Sequence, residues 1–194
     1  MSEVVEERVS VITPTIPGRE QFLAECRESV RAQTVAPAAH IVRSDDPGER
    51  DRAGKEDHMV SQHNALMELV ETEWLAVLHD DDTYLPHHIE TIAPYLLDHD
   101  VVYTYSTTPQ VSRVLVNDWP QAQIVAALEG ANILPACAAI RTSVMREVGG
   151  WQHELKPLYS DWSNWLRLAR AGARFYGVPV ETWGYRFHPG QTCG

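Results

Sequence analysis

The sequence predicts a single α/β domain with a mostly parallel central sheet flanked by helices. Short apolar and β-branched runs alternate with amphipathic helical segments through the first half of the chain, an order typical of parallel sheets. The 194 residues suffice for one sizeable core, and a second independent domain would be cramped. One apolar run, WLAVL, also leads into three consecutive aspartates at the position where open α/β sheets bind ligands.

The first half of the chain predicts the order βαβαβ. Each strand is a short apolar or β-branched run that ends near proline, glycine or aspartate. Phe22, Cys26 and Val30 recur at intervals of four and form a helical stripe, which makes Cys26 a predicted small core residue. The predicted strands cover residues 8–13, 40–44 and 74–78, and the predicted helices begin near residue 19 and cover about 60–71.

In this order the three strands point the same way, and their carboxyl ends meet at one edge of the sheet. We therefore expect residues 13–15, the acids Asp45 and Asp46, and residues 80–82 to converge. The intervening segment 49–58 is highly charged and has no apolar period, so it predicts a mobile loop in a place where it could cover a ligand.

The second half of the chain predicts shorter elements. A helix is expected from Pro86 to about residue 97, and Thr142 is expected to cap a short helix that ends at a double glycine. The segment 160–171 predicts a strong amphipathic helix that Gly172 terminates. Further strands are predicted over 101–106, 110–116, 136–140, 174–178 and 181–187, with a further helix around 120–128.

The composition narrows the class of protein. The formal net charge of −11 argues against a surface that grips duplex nucleic acid by neutralising phosphates, although it does not exclude a nucleic acid as the molecule that is modified. No apolar run is long enough to span a bilayer, and the first residues, MSEVVEER, lack the pattern of a signal peptide. We therefore expect a cytoplasmic protein without a membrane segment. The three cysteines show no metal-ligand spacing.

The acidic triplet, Asp80, Asp81 and Asp82, is the strongest single sign of function. Adjacent carboxylates at the end of a strand repel one another, so they favour a bound cation. The alternative is a solvated turn, because aspartate is common in turns and most charged runs lie on the surface. The buried character of the preceding strand favours the cation.

Six segments, in their order along the chain, carry a resemblance to a known family. They are VSVITPT, SDDPG, HNALMELVETEWLAVLHDDDTYLP, REVGGW, SDWSNWLRLARAG and YRFHPG. With them the chain resembles, from residue 9 to about 192, the inverting glycosyltransferases of family 2. The resemblance implies the GT-A fold, an α/β sandwich that binds nucleotide-diphospho-sugars. We expect one catalytic domain over 1–194, with a nucleotide-binding half over about 8–106 and an acceptor and base half over about 107–194.

The resemblance implies roles for the residues at the first three strand ends. The end of the first strand matches positions that hold the nucleoside, and Asp45 matches the acid that typically reads the base. The acidic triplet resembles the family's DxD-type motif, which contacts the ribose and a divalent cation that bridges the diphosphate. Asp80 is the first choice for the ribose and Asp82 for the metal. The residues with an implied nucleotide-binding role are Thr13, Pro14, Thr15, Asp45, Asp80, Asp81 and Arg186.

The resemblance also implies a cation and a donor. His188 matches a position where many GT-A enzymes supply a histidine to the same metal, so the implied metal ligands are Asp82, Asp80 and His188; a strand-end histidine without a ligand is the alternative. Oxygen ligands favour Mg²⁺ or Mn²⁺, and an imidazole shifts the preference toward Mn²⁺. The expected donor is a nucleotide-diphospho-sugar, with a UDP-sugar favoured. The acceptor hydroxyl is open among a glycan, a small molecule and a modified nucleic acid base.

Asp161 matches the general base of the family's ED-like motif. Inversion needs a base that deprotonates the acceptor hydroxyl on the face opposite the leaving group. Asp161 also begins a predicted helix as a favoured N-cap residue, and the two roles are compatible. The chain departs from the family twice: Ser160 precedes the base where glutamate is frequent, and His79 stands where aspartate is frequent.

Some residues and functions stay open. The basic residues of the segment 50–55 could touch the diphosphate, but a solvated loop is the simpler interpretation; Trp151 and Trp162 could stack on a sugar, but they suit a core equally well. A nucleotidyltransferase of similar fold is an alternative function, for which PTIPGRE is a poor version of the expected signature. A catalytically silent sugar-nucleotide-binding module is another, and the presence of Asp161 disfavours it.

Overall fold

The computed structural model describes residues 8–44, 55–152 and 160–189, and these form a seven-stranded sheet with helices on both faces. The strands are β1 (Val9–Thr15), β2 (Ala39–Ser44), β3 (Trp74–Val77), β4 (Thr83–Tyr84), β5 (Val101–Ser106), β6 (Ala138–Arg141) and β7 (Phe175–Gly184). The helices are α1 (Glu20–Arg31), α2 (Lys55–Glu68), α3 (His88–Ile92), α4 (Gln121–Gly130), α5 (Thr142–Glu147) and α6 (Ser160–Arg170), and a 3₁₀ turn covers Ala93–Tyr95.

The strands follow the order β2-β1-β3-β6-β5-β7-β4 across the sheet. β1 pairs in parallel with both β2 and β3, which confirms the predicted βαβαβ arrangement. β6 is antiparallel to its neighbours β3 and β5, whereas β7 is parallel to β5. Because only β4 and β6 oppose the others, the carboxyl ends of the remaining strands lie along one edge of the sheet, the carboxyl edge. We call the opposite edge the amino edge.

A hydrophobic core lies on each face of the sheet. Leu75 and Val77 of β3 pack into one core with α2, α4 and α6, whereas Trp74 and Ala76 pack into the other with α1 and α3. Successive side chains of a strand point to opposite faces, so burial of both faces explains why β3 is apolar without alternation. Cys26 is fully buried in the second core, as the sequence predicts. The two cores fix the end of β3, and with it the acidic triplet.

α6 forms over nearly the predicted range and carries Asp161 on its first turn. Trp165, Leu168 and Ala169 are buried, as the apolar stripe predicts. Gly172 ends the region in the left-handed conformation, with φ of 85°, which glycine adopts without a steric penalty. Burial of this face against the sheet holds the first turn of α6 in place.

The strand predicted over 110–116 is wrong, because this segment satisfies its backbone groups through side chains. The Tyr103 hydroxyl donates to the Val114 carbonyl at 2.8 Å and accepts from the Val116 amide at 3.2 Å. Ser112 donates from Oγ to the Ile133 carbonyl. These bonds replace a strand ladder and give the segment an irregular path.

Four other predicted boundaries differ from the structure. The two late strands are one continuous strand, β7, whose register shifts opposite Thr104 and Tyr105. The two-residue strand β4 was not predicted, and the helix expected from Pro86 begins at His88 and tightens into the 3₁₀ turn. Thr142 begins α5 but forms no capping hydrogen bond. Much of the predicted loop 49–58 lies outside the described residues, and α2 already begins at Lys55.

Candidate active site

A cavity of about 650 Å³ lies at the carboxyl edge of the sheet. Its walls come from the end of β1, the loop between β3 and β4, the start of α2 and α6, and the segments 110–112 and 132–136. The volume is typical of a ligand pocket, at roughly 300–1,000 Å³. The predicted convergence of the first and third strand ends is therefore observed, while residues 45–46 lie outside the described residues.

Asp80 is held firmly at the end of β3. Its Oδ2 accepts a hydrogen bond from Thr15 Oγ at 2.7 Å, and its Oδ1 accepts one from Arg19 Nη1 at 2.8 Å. The residue is only 2% exposed, yet it lines the cavity. The bond to Thr15 ties the end of β1 to the loop that follows β3, so the two strand ends form one rigid surface.

Asp81 lies beside Arg19 and two histidines, His79 and His188, and lines the same cavity. Its Oδ2 accepts from Arg19 Nη1 at 3.0 Å and lies 3.0 Å from His188 Nε2. Burial raises the pKa of Asp81, but the neighbouring His79, His188 and Arg19 lower it by more, so the net shift is downward. Asp81 is therefore an ionised carboxylate that faces both the cavity and His188.

Asp82 occupies a different environment. It is 3% exposed and accepts from the backbone amide of Arg186 at 3.0 Å. Burial, reinforced by the negative charge of Asp81, raises the pKa of Asp82 well above its ordinary value. The Arg186 guanidinium donates to the Asp81 carbonyl at 3.0 Å, pairs with Glu25 and lies over the Phe22 ring. Asp82 and Arg186 thus join the acidic loop to the segment after β7, and neither is among the cavity-lining residues.

An aromatic cluster of His63, His79 and Trp151 lies next to the acidic loop. His63 is fully buried; its ring stacks on Trp151 with centroids 5.0 Å apart and meets His79 edge-on at 5.6 Å. Burial, with a smaller contribution from His79, lowers the pKa of His63 to about 3, so this ring is neutral near pH 7. His63 Nδ1 lies 2.8 Å from the Met59 carbonyl. All three rings line the cavity and make one side of it apolar.

The backbone of Trp151 is fixed by a side chain of α2. Asn64 donates from Nδ2 to the Trp151 carbonyl at 3.0 Å and accepts the Trp151 amide at Oδ1 at 2.8 Å. The preceding Gly150 has φ of 72°, and a Cβ there would lie 2.3 Å from Asn64 Oδ1. Only glycine fits this approach, which explains the double glycine before the tryptophan. Trp162, in contrast, packs against the core and donates from Nε1 to the Leu128 carbonyl.

Asp161 lies on the first turn of α6 and lines the same cavity as Asp80 and Asp81. Its Oδ2 accepts from Asn132 Nδ2 at 2.9 Å. The side-chain oxygen of Asn132, Oδ1, is buried without a hydrogen-bond partner among the described residues. An unsatisfied buried carbonyl costs about 1–3 kcal/mol, so Asn132 is not explained by stability. It holds one carboxylate oxygen of Asp161 in a fixed orientation.

The predicted site residues divide into those that reach the cavity and those that do not. Thr13 is fully buried, and its Oγ lies 2.9 Å from His40 Nε2, away from the cavity. Asp45 lies outside the described residues, as do the arginines of the segment 50–55. His188 contacts the cavity-lining Asp81 but is not itself among the residues that line the cavity. The predicted residues that line the cavity are Pro14, Thr15, Asp80, Asp81 and Asp161.

The donor atoms fit a divalent cation that is shared with a substrate. Within the described ranges, no group of three or more histidine, cysteine, aspartate or glutamate side chains is placed to hold an ion. Asp81 and His188 nevertheless present an oxygen and a nitrogen at 3.0 Å from each other. Ions such as Mg²⁺ are commonly held by one or two protein groups, with phosphate oxygens and water completing the shell. The pair fits that mode of binding.

Two residues of the site were not singled out in the sequence. Arg19 follows the Pro17-Gly18 turn at the end of β1, and a basic residue at that edge of a parallel sheet is a usable signal for an anionic ligand. Asn132 is a lone amide in the apolar segment ANILP, and an isolated polar residue in such a run indicates a specific partner.

Comparisons with known proteins agree with this geometry. A family model described as "Glycosyltransferase like family 2" matches residues 8–189. No curated protein sequence matches the chain. Among solved structures, S. aureus TarS 1–349 in complex with UDP-GlcNAc has a TM-score of 0.70 at 16% identity, over 95% of this chain and 60% of that one. The mannosyltransferase PcManGT from Pyrobaculum calidifontis, in complex with GDP-Man and Mn²⁺, has a TM-score of 0.63 at 16% identity, over 90% and 56%.

These likenesses show the fold, and the family model shows the family. This chain spans 60% of the TarS chain and 56% of PcManGT, so the activities of those proteins are not carried over with the fold. No helix in the described part of the chain is long and apolar enough to cross a bilayer. The family model covers 8–189, which confirms the resemblance drawn from the six segments. The chain belongs to the glycosyltransferase family 2-like proteins and has the GT-A fold.

Proposed function

We propose that this chain is an inverting, metal-dependent glycosyltransferase that moves a sugar from a nucleotide diphosphate, preferably UDP, to an acceptor hydroxyl. One observation carries the proposal: a single cavity is lined both by the acids that follow β3 and by Asp161 of α6. An inverting displacement needs the leaving group and the base on opposite sides of the reacting carbon. Acids from two separate elements, the loop after β3 and the first turn of α6, reach this cavity, which supports the proposal.

On the donor side, Pro14, Thr15 and Asp80 form the surface for the nucleoside and ribose. The hydrogen bond between Thr15 and Asp80 makes this surface rigid, and rigid surfaces bind with a smaller entropic cost. TarS has been solved with UDP and with UDP-GlcNAc, and PcManGT with GDP-Man, which supports a nucleotide-sugar donor here. Asp45 keeps its predicted role of reading the base.

We assign the cation to Asp81 and His188 rather than to Asp82. Asp81 lines the cavity and contacts His188, whereas Asp82 is buried against the Arg186 amide. When bound, a divalent cation neutralises the charge that develops on the departing diphosphate. Asp82 then acts as a positioning residue, because its bond to Arg186 holds the segment that carries His188. The PcManGT complex with Mn²⁺ supports a divalent ion.

Asp161 is the proposed general base. The acceptor oxygen forms a bond to the anomeric carbon while the bond from that carbon to the diphosphate oxygen breaks, and the acceptor proton passes to Asp161. Asn132 fixes Oδ2 of Asp161, so Oδ1 is the oxygen that we assign to the proton. The diphosphate leaves with the electron pair of the broken bond. General bases of this kind contribute about 10²–10⁴-fold in rate.

The acceptor is proposed to enter between the segments 110–112 and 132–136, in the half of the chain assigned to the acceptor. Phe187 lies at the rim of the cavity and is 59% exposed, with its ring edge-on to Tyr185 at 5.1 Å. An exposed ring at a cavity rim suits a flat partner such as a sugar face or a base. A glycan, a small molecule and a modified nucleic acid base remain the candidate acceptors.

The test is a panel of UDP- and GDP-sugars, with nucleoside diphosphate release measured in the presence of Mn²⁺ or Mg²⁺. We expect release that stops with EDTA and falls about 10²–10⁴-fold in Asp161→Asn, while UDP binding by calorimetry is retained. A nucleotidyltransferase would instead need added pyrophosphate, which it would consume to convert the nucleotide-sugar into a nucleoside triphosphate and a sugar 1-phosphate. Unchanged turnover in Asp161→Asn would remove the base assignment.

A further inference from the structure

Arg19 occupies the place between the two acids that line the cavity. Its Nη1 donates to Asp80 Oδ1 at 2.8 Å and to Asp81 Oδ2 at 3.0 Å. The side chains of Arg19, Asp80 and Asp81 are 16%, 3% and 15% exposed, and all three line the cavity. One guanidinium nitrogen therefore neutralises two adjacent carboxylates that would otherwise repel each other in a poorly solvated position.

The oxygen that Arg19 holds is also the one proposed to bind the cation. Asp81 Oδ2 receives Arg19 Nη1 at 3.0 Å and lies 3.0 Å from His188 Nε2. A divalent ion placed between Asp81 and His188 would stand within a few ångströms of the guanidinium. Two positive groups at that distance repel strongly where water is scarce. The ion and Arg19 therefore compete for the same carboxylate oxygen.

We propose that Arg19 has two positions, one on Asp80 and Asp81 in the empty site and one on the diphosphate of the donor when the divalent cation takes its place at Asp81. This inference rests on the proposed metal-dependent donor binding. The donor brings the negative charge that the displaced guanidinium needs, and a planar guanidinium matches phosphate oxygens with two parallel hydrogen bonds. Arg19 is thus both the counter-ion of the empty site and a donor-binding residue.

The opposite edge of the sheet shows what a purely structural arginine is like in this fold. Arg141 pairs with Asp100 and Glu73, donates to the Leu96, Leu97 and His99 carbonyls, and stacks on the Trp74 ring at 4.7 Å. It is surrounded by protein groups and does not line the cavity. Arg19, in contrast, lies in the wall of the cavity, where a ligand can replace Asp80 and Asp81 as its hydrogen-bond partners.

The two positions predict effects of opposite sign in Arg19→Gln. Mn²⁺ binding in the absence of nucleotide is measured from the electron paramagnetic resonance signal of free Mn²⁺. We expect it to become tighter by about ten-fold, because the competitor for Asp81 is gone. UDP binding at saturating Mn²⁺, measured by calorimetry, should become weaker by about ten-fold, the size of one charge-assisted hydrogen bond. Mn²⁺ binding at Asp81 is thereby coupled to the release of Arg19 toward the diphosphate. In the wild type, Mn²⁺ and UDP should therefore each tighten the binding of the other.

Arg19→Met provides the same pair of predictions with a side chain that cannot hydrogen-bond. If either variant is unfolded without Mn²⁺ but folds with it, the ion has replaced the guanidinium, which supports the proposal. A variant that is unfolded in both conditions shows a structural arginine and overturns it. Unchanged affinities, or two affinities that move in the same direction, also overturn it. If the wild type takes up no Mn²⁺ even with UDP, the proposed metal-dependent function fails together with this inference; if it does, only the Arg19 assignment is at stake.

Discussion

The two edges of the sheet both carry acids paired with arginines, but they are built in opposite ways. At the amino edge, Asp100 accepts from the Arg174 amide at 2.9 Å, from Arg174 Nε at 3.1 Å and from Arg141 Nε at 3.2 Å. These bonds join the ends of β5, β6 and β7. At the carboxyl edge, Asp80 and Asp81 share Arg19, His188 contacts Asp81, and three carboxyl groups lie within one loop.

The pKa values express this difference. Burial raises the pKa of Asp100, but the hydrogen bonds and charge of Arg174, with help from Arg141, lower it by more, so the net shift is downward. Burial and the neighbouring Asp81 raise the pKa of Asp82 well above its ordinary value. An acid whose folded pKa is lowered stabilises the folded chain at neutral pH, and one whose pKa is raised opposes it. Asp100 therefore contributes stability at the amino edge, whereas at the carboxyl edge the favourable contribution of Asp81, whose pKa is lowered, is opposed by Asp82, beside the proposed cation site.

The largest expected effect comes from Asp81→Asn at the carboxyl edge. Loss of the charge that holds the cation should lower kcat/KM about 10³-fold, because metal neutralisation of a leaving diphosphate contributes several kcal/mol. The unfolding free energy should change by less than about 1 kcal/mol, since asparagine still accepts from Arg19 and relieves repulsion within the triplet. Steady-state kinetics and urea unfolding check the two parts. A variant that kept its full response to Mn²⁺ would contradict the ligand role of Asp81.

Asp100→Ala should give the reverse pattern at the amino edge. Two arginines and the Arg174 amide lose their common acceptor, so we expect the unfolding free energy to fall by about 2 kcal/mol. The kcat of the folded fraction should stay within about two-fold of the wild type, because this edge lies across the sheet from the cavity. The exposed neighbour Asp98 is a matched control, and Asp98→Ala should change stability by less than about 0.5 kcal/mol. Equal losses of unfolding free energy in Asp100→Ala and Asp98→Ala would contradict a stabilising role for the hydrogen bonds of Asp100.

The sequence could predict the first half of the fold because its pattern is local. β1, β2 and β3 are short runs that contain apolar and β-branched residues and are separated by helices, and that order alone implies parallel pairing. The place of β6 between β3 and β5 could not be predicted, since four residues pair in two registers with strands far away along the chain. The strand predicted over 110–116 was wrong for a related reason. The hydrogen bonds of this segment go to Tyr103 and to the carbonyl of residue 133 rather than to a neighbouring strand.

The site shows the same limit. Residue type and position predict that the triplet and Asp161 belong to a site, but they do not predict which aspartate of the triplet has which role. The Asp82 amide donates to the His79 carbonyl at 3.2 Å and closes a turn, so the directions of these side chains follow the turn and not the alternation of a strand. The contact between Asp81 and His188 joins residues 107 positions apart, and only the whole sheet brings them together.

A smaller effect is expected from Asn132→Ala, which tests whether the carboxyl edge positions its base. Without the bond to Oδ2, Asp161 should lose its fixed orientation, and kcat should fall about ten-fold with the KM for the donor unchanged. Asn117 is the matched control, because both of its amide atoms bond the Gly177 backbone, at 2.9 Å and 2.6 Å. Asn117→Ala should cost about 1–2 kcal/mol of stability and leave kcat of the folded fraction unchanged. A fall in donor affinity in Asn132→Ala, with kcat preserved, would place Asn132 on the donor side instead.

The smallest expected effect is a pH dependence that belongs to the amino edge. The folded pKa of Asp100 is lowered, so its contribution to stability is fully present above the unfolded value of about 3.9 and is lost as the pH falls through the folded value. The difference in unfolding free energy between the wild type and Asp100→Ala should therefore be constant from about pH 7 to pH 5 and shrink below about pH 4. Urea unfolding at a series of pH values measures it. If the difference instead grew on acidification, the fold would destabilise the ionised form of Asp100. Asp100 would then resemble Asp82 at the carboxyl edge, and the contrast between the two edges would be lost.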